Sequence, residues 1–341
     1  MVRRWMKEQK NWIGYAIAVL LLHMLGVIGL FSAARDMPSF WGIGLLAYTL
    51  GMRHAFDVDH IAAIDNTVRK LVQQKKNPLG VGFYFSLGHS SVVFLMALAT
   101  AFSVKWAERE LPWMQEAGGL IGATVSGSFL LIIGIINLFI LIQLFSMFRQ
   151  FRKGRQKEDE FERLLASRGF FARIAGPMFR FIQRSWHVYP LGFLFGLGFD
   201  TASEIALLAI SAGAAKDAVP LAGILSLPLL FAAGMTLLDT ADGMFMTKAY
   251  KWAFLTPLRK LYYNLTVTAI AVGAALLIGA VELAQVISSQ IGWEGGFWTL
   301  LQEFDFGVMG YILVALFVLA WGVSYGVWRW MRIEEQPGAH I

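Results

Sequence analysis

Long apolar runs recur along the whole chain and are separated by short polar segments. The runs lie at about residues 12–33, 40–68, 79–103, 118–148, 188–212, 219–247, 265–287 and 306–328. A hydrocarbon core about 30 Å thick is crossed by roughly 20 helical residues, and every run is at least that long. The pattern therefore predicts an all-α polytopic membrane protein with eight transmembrane helices.

The composition agrees with this class. Apolar residues make up 57% of the 341 residues and charged residues only 15%, and the mean hydropathy is +0.58. Soluble domains carry about 25% charged residues, so the chain is too apolar for a soluble fold and too long for a single span.

Basic residues fall mainly on one side of the predicted helices. With a cytoplasmic amino terminus, the other side receives only Arg35, Lys105, Arg109 and Lys216 of the 29 lysines and arginines, while Arg53 lies inside the second span. This asymmetry follows the positive-inside rule and predicts that both termini are cytoplasmic. It also accounts for a pI near 9.5, so no nucleic-acid partner is expected.

The pattern divides the chain into four segments. Residues 1–148 hold four spans, 149–186 form a basic amphipathic cytoplasmic loop, 187–332 hold four more spans, and 333–341 are a tail. The first run follows a basic stretch but is longer than the apolar region of a signal peptide, so we expect an uncleaved span. For the loop, the alternative is a linker whose basic residues only mark the cytoplasmic side.

Polar residues interrupt the second apolar run. Arg53, His54, Asp57, Asp59 and His60 stand within eight positions of one another, and each costs several kcal/mol at bilayer depth unless it is paired or binds a cation. The chain has no cysteine, so thiolate sites are excluded. Imidazole nitrogen and carboxylate oxygen suit divalent ions such as Ni²⁺, Co²⁺ or Zn²⁺ better than Mg²⁺ or Ca²⁺.

On a straight helix, four of these side chains share one face: His54, Asp57, His60 and the following Asp65. Asp59 points away from that face. Two alternatives follow: Asp59 has a different partner, or the helix is locally broken, as in many transporters that bind ions near the membrane midplane.

Further polar side chains occur in other predicted spans: His89 in the third, Asp200 and Glu204 in the fifth, Asp239 and Asp242 in the sixth, and Asn264, Thr266 and Thr268 in the seventh. Seven carboxylates then face Arg53 as the only fixed cation within the spans. They cannot all stay ionised in a medium of low dielectric constant. We therefore expect an interior that is protonated, hydrated or occupied by cations, which is typical of a cation path.

Five motifs occur in order across five predicted spans. They are R-H-A-x-D-x-D-H-I at 53–61, L-G-H-S at 87–90, L-G-F-D-T-A-S-E-I at 197–205, A-G-M-x-L-x-D-T-x-D-G at 233–243 and Y-Y-N-x-T-V-T at 262–268. Together they resemble the signature sequences of the nickel/cobalt transporter (NiCoT) family. The family's eight-span layout with cytoplasmic termini coincides with the predicted topology.

The resemblance implies a secondary transporter that takes up Ni²⁺, Co²⁺ or both across a prokaryotic inner membrane. It implies that His54, Asp59 and His60 are the principal metal-binding residues, and that the metal is the transported substrate, with no cofactor. Val58 stands where the family commonly has alanine, and Phe56 fills a variable position. Both are expected to line the site, so the preference between the two metals stays open.

From these residues we derive a transport hypothesis. His54 and His60 bind the ion, Asp57 or Asp59 adds a carboxylate oxygen, and His89 adds a ligand or orients one. The carboxylates at 200, 204, 239 and 242 form an acidic relay, to which Asp65 and Arg53 also belong, and the oxygens at 264, 266 and 268 extend the path. Protons compete for the imidazole lone pairs, so transport is expected to weaken at low pH. The membrane potential, alone or together with protons, drives uptake.

Three other classes of protein share some of these features. A metal exporter fits the same ligands, although the chain lacks a histidine-rich loop. An intramembrane metal-dependent enzyme would need an activated water, but the sequence has neither H-E-x-x-H nor G-x-S-x-G, so no enzymatic activity is expected. A membrane scaffold without transport does not account for the buried carboxylates.

Overall fold

The structure is a computed structural model that describes residues 2–102, 104–152, 182–198, 202–217, 219–253, 257–293, 295–302, 304 and 306–330. Within these ranges the chain forms helices joined by turns and short connections, with no β-strand. The expected all-α class is confirmed for this part of the chain. Most of the predicted loop at 149–186 and the whole of the tail at 333–341 lie outside the described residues.

The helices run in the following order: α1 (Val2–Ala34), α2 (Phe40–His54), α3 (Val58–Gln73), α4 (Val81–Phe102), α5 (Val104–Arg152), a 3-10 helix (Ser185–Val188), α6 (Tyr189–Gly196), α7 (Ala202–Lys216), α8 (Leu221–Ala253), α9 (Pro257–Ile291), α10 (Gly296–Gln302) and α11 (Phe306–Trp330).

Among the described residues, 5 helical segments are long and apolar enough to cross a membrane: Trp12–Ala34, Val81–Phe102, Glu116–Phe139, Leu221–Lys251 and Thr268–Ile291. A shorter apolar stretch, Met309–Val323, lies in α11. The chain is thus a polytopic membrane protein. The count of eight spans and the side on which the termini lie remain predictions.

The second and fifth predicted spans are each two helices rather than one. Helices α2 and α3 have 15 and 16 residues, and at 1.5 Å per residue each covers only about 24 Å or less. Helices α6 and α7 divide the fifth span in the same way. The straight helix assumed for the second span is therefore wrong at residues 55–57. The alternative of a locally broken helix is the correct one.

Helix α8 lies at the centre of the bundle and packs against α1, α2, α3, α4 and α7. Glycine permits the closest of these approaches. Gly51 of α2 lies against the carbonyl group of Phe231, and Gly82 of α4 lies against the carbonyl group of Asp239, in each case with no room for a Cβ atom. Small residues at such crossings let helix backbones approach closely in membranes.

The outer faces of the bundle are strongly apolar. Leu20 and Ile28 of α1 and Leu319 of α11 are 60%, 61% and 62% exposed. Such exposure of large apolar side chains is unfavourable in water but matches hydrocarbon. Polar side chains instead concentrate inside the bundle, between α2, α3, α4, α7 and α8.

Candidate metal centre

The break between α2 and α3 creates the local geometry of the centre. His54 is the last residue of α2, and Asp57 takes the N-cap position of α3 with extended backbone (φ −65°, ψ 138°). The Asp57 side chain does not cap the helix. Its Oδ2 instead lies 2.8 Å from Nδ1 of His54, so an aspartate at a usual capping position contacts an imidazole instead.

Helix α11 braces this break from outside. Gly310 lies against the carbonyl group of Phe56, where a Cβ atom would not fit. The Phe56 ring stacks on Tyr311 with ring centroids 4.8 Å apart. Phe56 was expected to line the metal site, and this expectation is wrong because its ring packs towards α11.

Three imidazoles converge next to the break. One nitrogen of each of His54, His60 and His89 lies within 4.8 Å of the other two. The ring centroids are 4.6 to 4.7 Å apart in all three pairs. All three side chains are buried. The structure thus brings together two histidines of the second predicted span and one of the third.

Carboxylates contact each of these rings. Glu204 Oε1 lies 2.7 Å from His89 Nε2 and 3.9 Å from His54 Nε2, while the two Nε2 atoms are 2.8 Å apart. On the opposite side of His60, Asp239 Oδ2 lies 3.2 Å from Nδ1. The Nε2 atom of His60 is buried and has no hydrogen-bond partner among the described residues.

This arrangement suits a transition-metal ion. The Nε2 atoms of His54, His60 and His89 and one oxygen of Glu204 could supply three nitrogen ligands and one oxygen ligand. Such a donor set suits nickel, cobalt or zinc. Asp57 and Asp239 contact the Nδ1 atoms behind two of the rings, which is the arrangement that fixes the tautomer and orientation of ligating imidazoles.

Two further residues of the signature stretch lie beside the centre. Asp59 is half-buried in the first turn of α3, where a carboxylate stabilises the positive end of the helix dipole. Asp59 is not part of the group of three imidazoles. Arg53 donates a hydrogen bond to Ser203 Oγ at 2.7 Å, which joins the end of α2 to α7.

A second polar group extends away from the imidazoles between α3 and α8. Asp65 Oδ1 accepts a hydrogen bond of 2.6 Å from the Tyr250 hydroxyl. One carboxylate oxygen each of Asp65, Asp239 and Asp242 is buried without a hydrogen-bond partner among the described residues. Asp242 is followed by Gly243, at which a Cβ atom would lie 3.7 Å from Ile64 Cγ2 of α3. Asp65 and Asp239 are buried and Asp242 is half-buried, and we call these three carboxylates the acidic column.

Arg69 directly follows the second apolar run, at a position where the sequence pattern predicts a polar segment. Its side chain is nevertheless only 1% exposed and is the largest of the fully buried side chains among the described residues. Arg53 is therefore not the only fixed cation among the interior carboxylates. The spacing of Asp65 and Arg69, four positions apart on a helix, is a signal that could have indicated the pair.

Asn66 contacts the Arg69 guanidinium and is itself held by Asn137. Its Nη2 donates to Asn66 Oδ1 at 2.6 Å, and Asn137 Nδ2 of α5 donates to the same oxygen at 2.7 Å. Asn66 Nδ2 in turn donates to the carbonyl oxygen of Ala62. No feature of the apolar run around Asn137 indicates, before the fold is known, that Asn137 contacts Asn66.

The remaining path residues are only partly described. Thr268 of α9 is buried. Asp200 lies outside the described residues, and for Asn264 and Thr266 only the backbone within α9 is described. The predicted contribution of these three side chains to a path therefore stays a prediction.

Broken helices around a buried imidazole and carboxylate centre in a helical membrane protein are typical of polytopic metal-ion transporters. Residues 40–327 match the family of the high-affinity nickel-transport protein. The chain belongs to this family, which confirms the resemblance found in the sequence motifs. The family and the similar proteins below are transporters rather than enzymes, so the metalloenzyme alternative is excluded.

Curated relatives cover nearly the full chain. The nickel transporter NixA of Staphylococcus aureus is 57% identical over 96% of this chain and 97% of its own length. The nickel transporter NicT of Mycobacterium tuberculosis is 50% identical over 86% and 80%. The cobalt transport protein NhlF of Rhodococcus rhodochrous is 39% identical over 93% and 92%. No solved structure gives a significant match.

Proposed function

We propose that this protein imports Ni²⁺, Co²⁺ or both across the inner (plasma) membrane of a prokaryotic cell. The observation that carries the proposal is the convergence of three buried imidazoles within 4.8 Å, with the Glu204 carboxylate 2.7 Å from one of them. Relatives named as nickel transporters and as a cobalt transport protein support the choice of metals.

In this proposal His54, His60 and His89 bind the ion through Nε2, and Glu204 supplies an oxygen. Asp57 and Asp239 orient two of the rings. This division of roles refines the sequence-based hypothesis, in which Asp57 or Asp59 supplied the oxygen. The distance of 2.8 Å between Asp57 Oδ2 and His54 Nδ1 favours an orienting role for Asp57.

From the imidazoles the ion passes to the acidic column of Asp239, Asp242 and Asp65. Helices α3 and α8 run in the same direction here, because His60 faces Asp239 and the later Asp65 faces the later Tyr250. In the proposed topology, with both termini cytoplasmic, this direction leads to the cytoplasm. Asp200, Asn264, Thr266 and Thr268 are proposed to complete the path.

The membrane potential is the proposed driving force. A dication that enters a cell with negative interior potential gains about 4.6 kcal/mol per 100 mV, twice the value for a single charge. Collapsing the potential at constant proton gradient should therefore abolish uptake. Uptake that persists under these conditions, and stops only when the proton gradient is removed, would point to proton coupling instead.

The direct test is uptake of Ni²⁺ and of Co²⁺ into liposomes that contain the purified protein under an inside-negative potential. We expect saturable uptake by the wild type and its loss in His54→Ala. Asp59→Ala tests whether Asp59 is one of the principal metal-binding residues, as the family resemblance implies. Efflux of metal without uptake, whichever way the protein is inserted in the liposome membrane, would instead favour a metal exporter.

The orientation can be tested separately, because the chain contains no cysteine. Single substitutions Asp36→Cys and Lys75→Cys introduce unique thiols at exposed positions before α2 and after α3. In intact cells, a membrane-impermeant thiol reagent is expected to label residue 36 but not residue 75. The reverse pattern would contradict cytoplasmic termini.

A further inference from the structure

Arg69 is a permanent positive charge inside the bundle. Arginine keeps its proton under all physiological conditions, and a buried charge requires compensation. Asn66 accepts a hydrogen bond from its Nη2. The Arg69 Nη1 atom is buried and has no hydrogen-bond partner among the described residues. Among the described residues, the carboxylate that forms an ion pair with the guanidinium is that of Asp65, with Nη2 and Oδ2 4.0 Å apart.

The position of Arg69 relates it to the proposed path. His60, Asp65 and Arg69 follow one another along α3, and Lys70 is a basic residue in the last turn of the same helix. Along α8, Asp239, Asp242 and Tyr250 accompany them in the same direction. The acidic column therefore begins at the imidazole centre and ends at the guanidinium of Arg69.

The contact between Arg69 and Asp65 is not a closed ion pair. Arginine and carboxylate side chains that pair structurally are commonly bidentate, with nitrogen and oxygen atoms about 2.7 to 2.9 Å apart. Here the separation is 4.0 Å, and Asp65 Oδ2 and Arg69 Nη1 both lack hydrogen-bond partners among the described residues. The pair thus keeps one unused acceptor and one unused donor, although both groups are fully buried.

We propose that Arg69 is a tethered cation that releases the metal ion at the inner end of the acidic column. The inference rests on the proposed function, because it assigns a role within the same path. When no metal is present, the guanidinium neutralises Asp65. A dication that reaches Asp65 competes with the guanidinium for the same carboxylate. Repulsion from the fixed positive charge then weakens the binding of the ion and favours its release.

Two asparagines explain how the Arg69 charge can act on an ion at Asp65 without forming a permanent ion pair with the Asp65 carboxylate. Asn66 is held by Asn137 of α5 and by the carbonyl oxygen of Ala62. Its amide oxygen therefore stays directed at Arg69. These contacts restrain the guanidinium beside Asp65 instead of letting it close onto the carboxylate. Arg69 is a positioning residue in this scheme, since it acts on the ion through its charge and through Asp65.

The test compares Arg69→Gln, Arg69→Lys and the double variant Asp65→Asn/Arg69→Gln in liposomes. Arg35→Gln, at an exposed arginine, is the matched control. Two quantities are measured: the kinetics of Ni²⁺ uptake, and the rate at which a chelator removes Ni²⁺ from the purified protein.

For Arg69→Gln we expect release and maximal uptake rate to fall by about tenfold or more, with KM unchanged or lower, because ion exit is slowed while capture is retained. Arg69→Lys keeps the positive charge while the buried amine stays protonated, and at a pH where it does so, release should stay within about threefold of the wild type. The double variant should recover much of the rate, because it removes the carboxylate that retains the ion.

Other outcomes would overturn the inference. Unchanged release in Arg69→Gln, or a loss that neither the lysine variant nor the double variant restores, would indicate a structural role alone. If Arg69→Gln does not fold, the other two variants decide. Normal Ni²⁺ release in both supports the inference, and slowed release in both contradicts it. Wild-type protein without uptake would instead refute the proposed function, and wild-type uptake beside an unaffected Arg69→Gln would refute only this inference.

Discussion

His60 Nδ1 of α3 lies 3.2 Å from Asp239 Oδ2 of α8, although 179 positions separate the two residues in the chain. This contact engages Nδ1 and leaves the opposite nitrogen of the ring, Nε2, buried without a hydrogen-bond partner among the described residues. It also marks the point where the imidazole centre meets the acidic column. In the proposed transport path, this single contact between α3 and α8 links the ion-binding residues to the carboxylates that follow them.

The first prediction concerns this contact. Asp239→Asn removes the charge that orients His60 and is expected to weaken Ni²⁺ binding about 10- to 100-fold, as for other residues that orient metal ligands. Calorimetric titration of the purified variant measures the change. Asp36→Asn, at an exposed position, is the control. Unchanged affinity in Asp239→Asn would show that the carboxylate does not orient a ligand.

The second prediction separates ligating from packing histidines. His54→Ala, His60→Ala and His89→Ala should each abolish saturable Ni²⁺ uptake, because each removes a nitrogen from the centre. His23 of α1 is a matched control, since it is also within a membrane span but contacts Tyr48 Oη at 3.2 Å and the Val19 carbonyl oxygen at 2.8 Å. Loss of uptake in His23→Ala as well would indicate a general requirement for imidazoles instead of this centre.

The third prediction assigns the oxygen ligand. Glu204→Gln keeps the size of the side chain but removes its charge, so Ni²⁺ affinity should fall by about tenfold or more, as expected for a lost charged metal contact. Asp59→Asn should have the smaller effect on equilibrium binding, because Asp59 lies outside the group of three imidazoles. Equilibrium dialysis of both variants decides the assignment, and the opposite order would make Asp59 the ligand.

The fourth prediction tests the packing that places Asp239. Gly82→Ala introduces a Cβ atom against the Asp239 carbonyl group. Because the opposing atoms are backbone, α4 and α8 must separate, and overpacking of this kind costs about 1–3 kcal/mol. We expect a lower thermal unfolding temperature and weaker Ni²⁺ binding. Gly42→Ala, where a Cβ would meet nothing within 4 Å, should leave both unchanged.

Much of the site could be predicted before the fold was known. Burying a charged or imidazole group in hydrocarbon is so unfavourable that each such residue in an apolar run indicates a function. His54, His60 and His89 were selected on this ground, and the structure brings them together. Arg69 escaped the same reasoning because it stands at the end of an apolar run, where a basic residue usually faces the cytoplasm.

Partners across the bundle could not be predicted in this way. Glu204 and Asp239 were both expected in one acidic relay, yet one contacts His89 and the other contacts His60. Periodicity gives the face of a helix on which a residue lies, but not which helix that face meets. The break at residues 55–57 was one of two open alternatives for a related reason: it is braced by Gly310 and Tyr311, far along the chain.

By itself, the sequence determined that the protein is helical, that it lies in a membrane and that it carries histidine and carboxylate side chains whose chemistry suits a transition metal. These properties depend on hydrophobicity and side-chain chemistry, which are local. Only the tertiary structure decided that the second and fifth predicted spans are broken, which carboxylate contacts which imidazole, and that Arg69 is buried beside Asp65. These properties depend on how closely particular helices approach, and backbone contacts at residues such as Gly51 and Gly82 set that distance.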